Sequence, residues 1–252
     1  MAVTARAPAP EADLPGRGPV IRAAIGIGVY AGALGLSFGA VSAGSGLAFW
    51  QTMVLSLLMF SGASQFAFVG VAAAGGTPFA AIPAALLLGV RNAFYGVTLS
   101  EILPRGPVWK RLPTAHLVID ESTAMAVGQT QRPLQRLAFW SCGLAIFCLW
   151  NLGTLTGALI GASVDTTRFG LDAAGPAAFL ALLWPGLTSM KARGVAVGGA
   201  LVAFLLIPVA PAGVPVLCAA LVALVAGLSR RGERNLSDDP LDPTETAEGV
   251  MP

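Results

Sequence analysis

The chain has 252 residues, 55% hydrophobic and 11% charged, with a mean hydropathy of +0.75. Soluble domains carry about 25% charged residues, so this surface is made for lipid and excludes an enzyme with a large aqueous domain. A net charge of +2 from scattered residues excludes nucleic acid as a partner, since that needs clustered Lys and Arg.

Residues 1–19, with Pro8, Pro10, Pro15 and Pro19, read as a disordered tail. The apolar run at 21–43 is the first membrane segment and not a cleaved signal, because many similar runs follow it. With about 20 apolar residues needed per crossing, further segments are expected at about 48–74, 78–102, 135–161, 173–188, 194–210 and 213–229. The expected fold is therefore all-α: a polytopic membrane helix bundle of about seven hydrophobic segments over 20–229, with broken or re-entrant elements. The stretch 116–128 is short and holds His116, Asp120 and Glu121, so it reads as re-entrant or buried within the bundle. Residues 230–252, with acidic Asp238 and Asp239, read as a disordered cytoplasmic tail. Cys142, Cys148 and Cys218 lie in apolar runs without CxxC spacing and read as small buried hydrophobes. One histidine in the chain argues against a zinc or haem site built from several imidazoles, and no cofactor or metal is expected.

Polar groups at membrane depth are the informative positions, because a charge at a helix centre costs about 2.5–3.5 kcal/mol on insertion scales. Arg91 lies mid-way along 78–102, followed by Asn92, with Tyr95 one turn on. A guanidinium there suits a substrate carboxylate, or else pairs with Asp120 or Glu121 to fix the bundle. Phe60 to Phe66 contains Ser61, Gly62, Ser64 and Gln65; a helix broken at Gly62 frees amides that favour a carboxylate, with the serines and Gln65 adding side-chain bonds. Small-residue packing between helices is the alternative. His116 and Asp120 are four residues apart on one face, with Thr123 beyond, so they and Glu121 are candidates for moving a proton. The alternative is a solvated polar hairpin. Ser37, Asn151 and the Trp184-Pro185-Gly186 kink are weaker candidates.

Orientation follows from Lys and Arg in short loops. Counting back from Arg230, Arg231 and Arg234 places 191–193 and Arg132 with Arg136 inside, so a cytoplasmic C-terminus is expected. The 105–111 cluster is inside only if 116–128 dips and returns without crossing, and Arg17 only if 48–74 does the same.

The run from Gly35 to Glu101, with FSGASQF at 60–66, LLGVRNAFYGVTLSEIL at 87–103 and DESTA at 120–124, resembles the AzlC family, the large subunit of branched-chain amino acid exporters. The resemblance covers roughly 20–229. It implies export of leucine, isoleucine, valine and similar apolar amino acids across the inner membrane, together with a small hydrophobic AzlD-like subunit. The chain departs from the family form at Asn92, where a histidine is frequent, which weakens a proton-relay role there. On this basis the expected function is a secondary transporter, coupled to protons through Asp120 or Glu121, since no GxxxxGK[ST] motif is present. A membrane enzyme is disfavoured by the absence of HExxH and GxSxG. A channel or a structural subunit for another small solute is the remaining alternative.

Overall fold

The computed structural model describes residues 16–103, 106–163, 180 and 183–237; no strand occurs among them. The chain divides after Pro185 into two compact units. The first holds α1 (Arg17–Gly44), α2 (Phe49–Leu58), α3 (Ala63–Ala73), α4 (Pro78–Gly89), α5 (Arg91–Leu99), α6 (Val108–His116), α7 (Asp120–Val127) and α8 (Arg132–Ser163). The second is a hairpin of α9 (Met190–Leu206) packed on α10 (Val214–Ser237).

Among the described residues, three elements are long and apolar enough to cross a bilayer: α1, the near-continuous α4–α5 stretch of 22 residues, and α8. At 1.5 Å per residue even the shortest reaches about 33 Å, against a hydrocarbon core of about 30 Å. The backbone seam between α1 and α8 runs parallel. Gly28 meets Ala145 and Leu149, Gly35 meets Trp150, and Gly161 meets Ala40 and Ala43. Gly39, Gly153 and Gly157 leave no room for a Cβ against the facing backbone, so glycine sets the approach of these helices, as small residues do in lipid. Gly16 lies against Leu134, so both helices start at one face.

Between these crossings the chain makes two excursions that return to the face they left. The first is α2–α3. Ser42 at the far end of α1 lies 2.6 Å from Thr52, and Ser56 bonds Asn151 at 2.8 Å and Thr154 at 3.1 Å. Phe60 then reaches Phe147 at the middle of α8, with ring centroids 5.2 Å apart. The chain turns back there, because α3 packs against α4 through the short 74–77 connection and α4–α5 runs on to the starting face. The second excursion is α6–α7. Arg132 donates to the carbonyl of Glu101, and Arg136 Nε to that of Ile102 at 3.0 Å, so α8 begins where α5 ends. In between, the chain climbs to His116, whose ring lies 5.6 Å from that of Phe147, and Leu117 meets Gly143.

Both conditions set by the sequence for a common basic face are thus met. Arg17, Arg132 and Arg136 lie at one face, with the 106–111 stretch leading from it, and 45–48 and 74–77 lie at the other. The 173–188 segment falls mostly outside the described residues; Trp184–Gly186 form a single 3-10 turn. In the second unit Ser189 caps α9, accepting from Ala192 N at 3.1 Å. The helix α10 continues through Ser237, beyond the tail boundary expected at 230, because Arg230, Arg231, Glu233 and Arg234 are all good helix formers. Residues 1–15 and 238–252, the rest of the two expected tails, lie outside the described residues.

Candidate functional site

The first tip, Met59–Gly62, forms where serine and glycine weaken the helix. Glycine costs about 1 kcal/mol in a helix interior, and serine hydroxyls compete for backbone groups. The break is stitched locally. Ser61 O accepts from Ser64 N at 2.8 Å, and Ser61 Oγ lies 3.2 Å from Ser64 Oγ. Gln65 Nε2 donates 2.8 Å to Leu55 O, one of the last carbonyls of α2. The second tip, Leu117–Ile119, is tied by Ser122, whose Oγ donates 2.6 Å to Leu117 O and accepts from Ile119 N at 3.2 Å. This tip corrects the expectation that His116 and Asp120 share one helical face. The helix stops at His116 and restarts at Asp120, so the i,i+4 relation is never formed.

The tips meet around a cavity of about 140 Å³, lined by Tyr30, Ala31 and Leu34 of α1, Phe60 to Ala63 and Phe66 of the first excursion, Arg91, Ile119 to Glu121 of the second, and Ile146 and Trp150 of α8. Tyr30 is the fourteenth of the 28 residues of α1, Ile146 the fifteenth of 32 in α8, and Arg91 the fourteenth of 22 in α4–α5. The cavity therefore sits at the middle of all three crossings. An apolar cavity of about 150 Å³ holds a benzene-sized ligand, which matches a small solute's side chain.

Within this mostly apolar wall Arg91 Nη1 and Asp120 Oδ2 form an ion pair at 2.8 Å, with the side chains 40% and 39% exposed. Asp120 and Glu121 occupy the first turn of α7, where the helix dipole favours negative charge. Glu121 makes no ion pair among the described residues. The start of α3 borders the same space through Gly62 and Ala63. Arg91 Nε and Trp150 Nε1 are buried without an acceptor.

Of the residues singled out in the sequence, Ser61, Gly62, Arg91, Asp120 and Glu121 line the cavity together with Phe60 and Phe66. The others stand behind it. Ser64 and Gln65 brace the first tip, and Asn92 Nδ2 reaches Ser61 Oγ at 3.4 Å. Tyr95 packs against the hydrophobic core, and His116 stacks on Phe60 with centroids 5.6 Å apart. Phe94 and Trp184 are both 70% exposed and do not line the cavity. Asn151 bonds Ser56 and Phe147 O and serves helix packing. Sequence reasoning missed Tyr30, Ile146 and Trp150. Trp150 carried a usable signal, because tryptophan normally gathers at the membrane interfaces and this one sits mid-span.

An ion-paired cavity at the centre of a helical bundle, bounded by two helix breaks, defines a polytopic membrane protein with a solute-sized site at mid-depth. The family model described as AzlC protein matches residues 26–164, and the chain belongs to the AzlC family. It is 24% identical over 151 residues to an uncharacterized membrane protein of Helicobacter pylori (strain J99 / ATCC 700824), covering 59% of this chain and 66% of that one. It is 30% identical over 118 residues to the inner membrane protein YgaZ of Escherichia coli (strain K12), covering 45% and 48%. The matched stretches thus span less than two thirds of either relative. No solved structure matches the chain.

Proposed function

We propose that this chain is a secondary transporter that exports branched-chain and similar apolar amino acids across the inner membrane through the mid-depth cavity, together with a small hydrophobic AzlD-like subunit. The observation that carries the reading is the Arg91–Asp120 pair at 2.8 Å inside a wall of Phe60, Phe66, Ile119, Ile146 and Trp150. A solute with charged ends and an apolar side chain needs both kinds of surface in one place. Membership of the AzlC family supports the substrate class, and the name of the Escherichia coli relative supports the inner membrane. Glu121, the cavity carboxylate outside the Arg91–Asp120 ion pair, is the position assigned to a coupling proton, because a surplus charge at mid-depth is costly. By the excess of Lys and Arg, the face holding Arg17, Arg132 and Arg136 is cytoplasmic.

The test is efflux of labelled leucine from cells expressing the chain with its small partner. Co-expression is expected to lower intracellular leucine. Arg91→Ala is expected to abolish the effect with membrane insertion unchanged. Retained efflux by that variant, at normal expression, would refute the assignment of the site.

A further inference from the structure

We propose that the Arg91–Asp120 ion pair is an internal stand-in for the two charges of the substrate. On binding, the α-carboxylate displaces Asp120 from Arg91, and the α-ammonium takes the place of Arg91 on Asp120. The inference rests on the amino-acid reading above and narrows it to solutes that carry both charges on one carbon.

Three observations support it. Both members of the pair face the cavity and are about two-fifths exposed, so a solute reaches them without unfolding any element. Among the described residues Arg91 is only partly satisfied: Nη1 holds Asp120 while Nε is buried with no acceptor. A carboxylate that displaces Asp120 can bind two guanidinium nitrogens side by side, where Asp120 makes a single contact with Nη1. The pair also joins separate elements, the α4–α5 crossing at the start of α5 and the re-entrant hairpin at the start of α7. Exchanging the pair for a bound zwitterion therefore keeps every charge matched while parting α5 from α7.

Charge accounting sets the selectivity. A 2-oxo acid satisfies Arg91 but leaves Asp120 without its cation, and an amine satisfies Asp120 but strips Arg91. Either leaves an unpaired charge in a desolvated site, which is strongly penalised. Glu121 lines the same cavity and is the competing partner for the ammonium. Asp120 is preferred because it already holds a cation at 2.8 Å.

The experiment is calorimetric binding to the full chain in lipid nanodiscs, using three probes with the same side chain: L-leucine, 4-methyl-2-oxopentanoate and 3-methylbutylamine. Both single-charge probes are expected to bind at least about thirtyfold more weakly than leucine. In Asp120→Asn, the preference for leucine over the oxo acid is expected to fall to within about threefold. A wild-type oxo acid or amine within threefold of leucine overturns the exchange while leaving an amino-acid site standing. An unchanged preference in Asp120→Asn overturns the role of Asp120 and moves the ammonium to Glu121. No binding of any probe overturns the functional reading beneath the exchange as well.

Discussion

Replacing Gly35 with alanine tests the glycine-spaced seam between α1 and α8. A Cβ at Gly35 lies 2.5 Å from the Trp150 carbonyl oxygen and 3.1 Å from its Cα. Ordinary van der Waals contact begins near 3.4 Å, so α1 and α8 must part by about 0.9 Å, the difference between 3.4 and 2.5. The obstacle is backbone, which no rotamer change moves aside, and overpacking of this kind costs about 1–3 kcal/mol. Gly26 lies in the same helix with nothing within 4 Å of the same added atom. Both substitutions gain the same helix propensity, up to about 1 kcal/mol, so it cancels between them. Gly35→Ala should therefore melt below Gly26→Ala by the overpacking term alone, about 2–12 °C at roughly 2–4 °C per kcal/mol for a chain of this size. Thermal unfolding of the detergent-purified variants, followed by tryptophan fluorescence or by loss of the monodisperse chromatographic peak, reads the difference. A Gly35→Ala protein that melts at or above Gly26→Ala would refute the glycine-spaced seam.

Two further outcomes follow from the same geometry. Ser56→Ala removes a hydroxyl that bonds Asn151 and Thr154; a loss of about 1–3 kcal/mol is expected because the buried Thr154 oxygen and the part-buried Asn151 amide oxygen lose their donor, and an unchanged melting temperature would contradict it. Single cysteines introduced into the cysteine-free chain at Ser45 and Thr77 are expected to react with an impermeant maleimide from outside the cell, and one at Gln131 only after permeabilisation. External labelling of the Gln131 position together with silence at Ser45 would invert the assigned orientation.

The sequence revealed composition, approximate segment limits and the polar positions at membrane depth, because the cost of burying charge shows in one dimension. Arg91, Asp120, Glu121, Ser61 and Gly62 are legible in that way. Their convergence is not, since it depends on two excursions that return, and a hydropathy profile records depth in apolar residues without direction. The run at 48–74 is long enough to cross, yet it folds back because Ser61 and Gly62 interrupt it half-way. The share of the wall supplied by α1 and α8 was hidden for another reason. Tyr30, Leu34, Ile146 and Trp150 are apolar or aromatic residues in apolar helices, and only their facing positions make them part of a site. Asn92, Gln65 and Tyr95 show the reverse case, where polar side chains conspicuous in the sequence are spent on bracing and packing.

The two tips are held by the same device from opposite faces. Non-helical backbone at membrane depth survives only where its polar groups are satisfied within the protein or by a cavity. Gln65 satisfies Leu55 O from the half-helix after the first tip, and Ser122 satisfies Leu117 O and Ile119 N from the half-helix after the second. Each hairpin is thus braced by its own hydrogen bonds. Contact between the tips is made instead by the Phe60–His116 stack, which is adaptable, and the tie from α5 to α7 is the Arg91–Asp120 pair. Local bonds thus hold each tip, while a ring stack and an ion pair hold the tips together, so the backbone pairing of each hairpin does not depend on the other. Gln65→Leu separates the two roles. The carbonyl of Leu55 loses one donor but keeps Met59 N at 3.0 Å, and the cavity lining keeps its chemistry, so a stability loss of no more than about 1.5 kcal/mol with leucine affinity preserved is the expected result. Leucine affinity lost at unchanged stability would instead make Gln65 a ligand-binding residue.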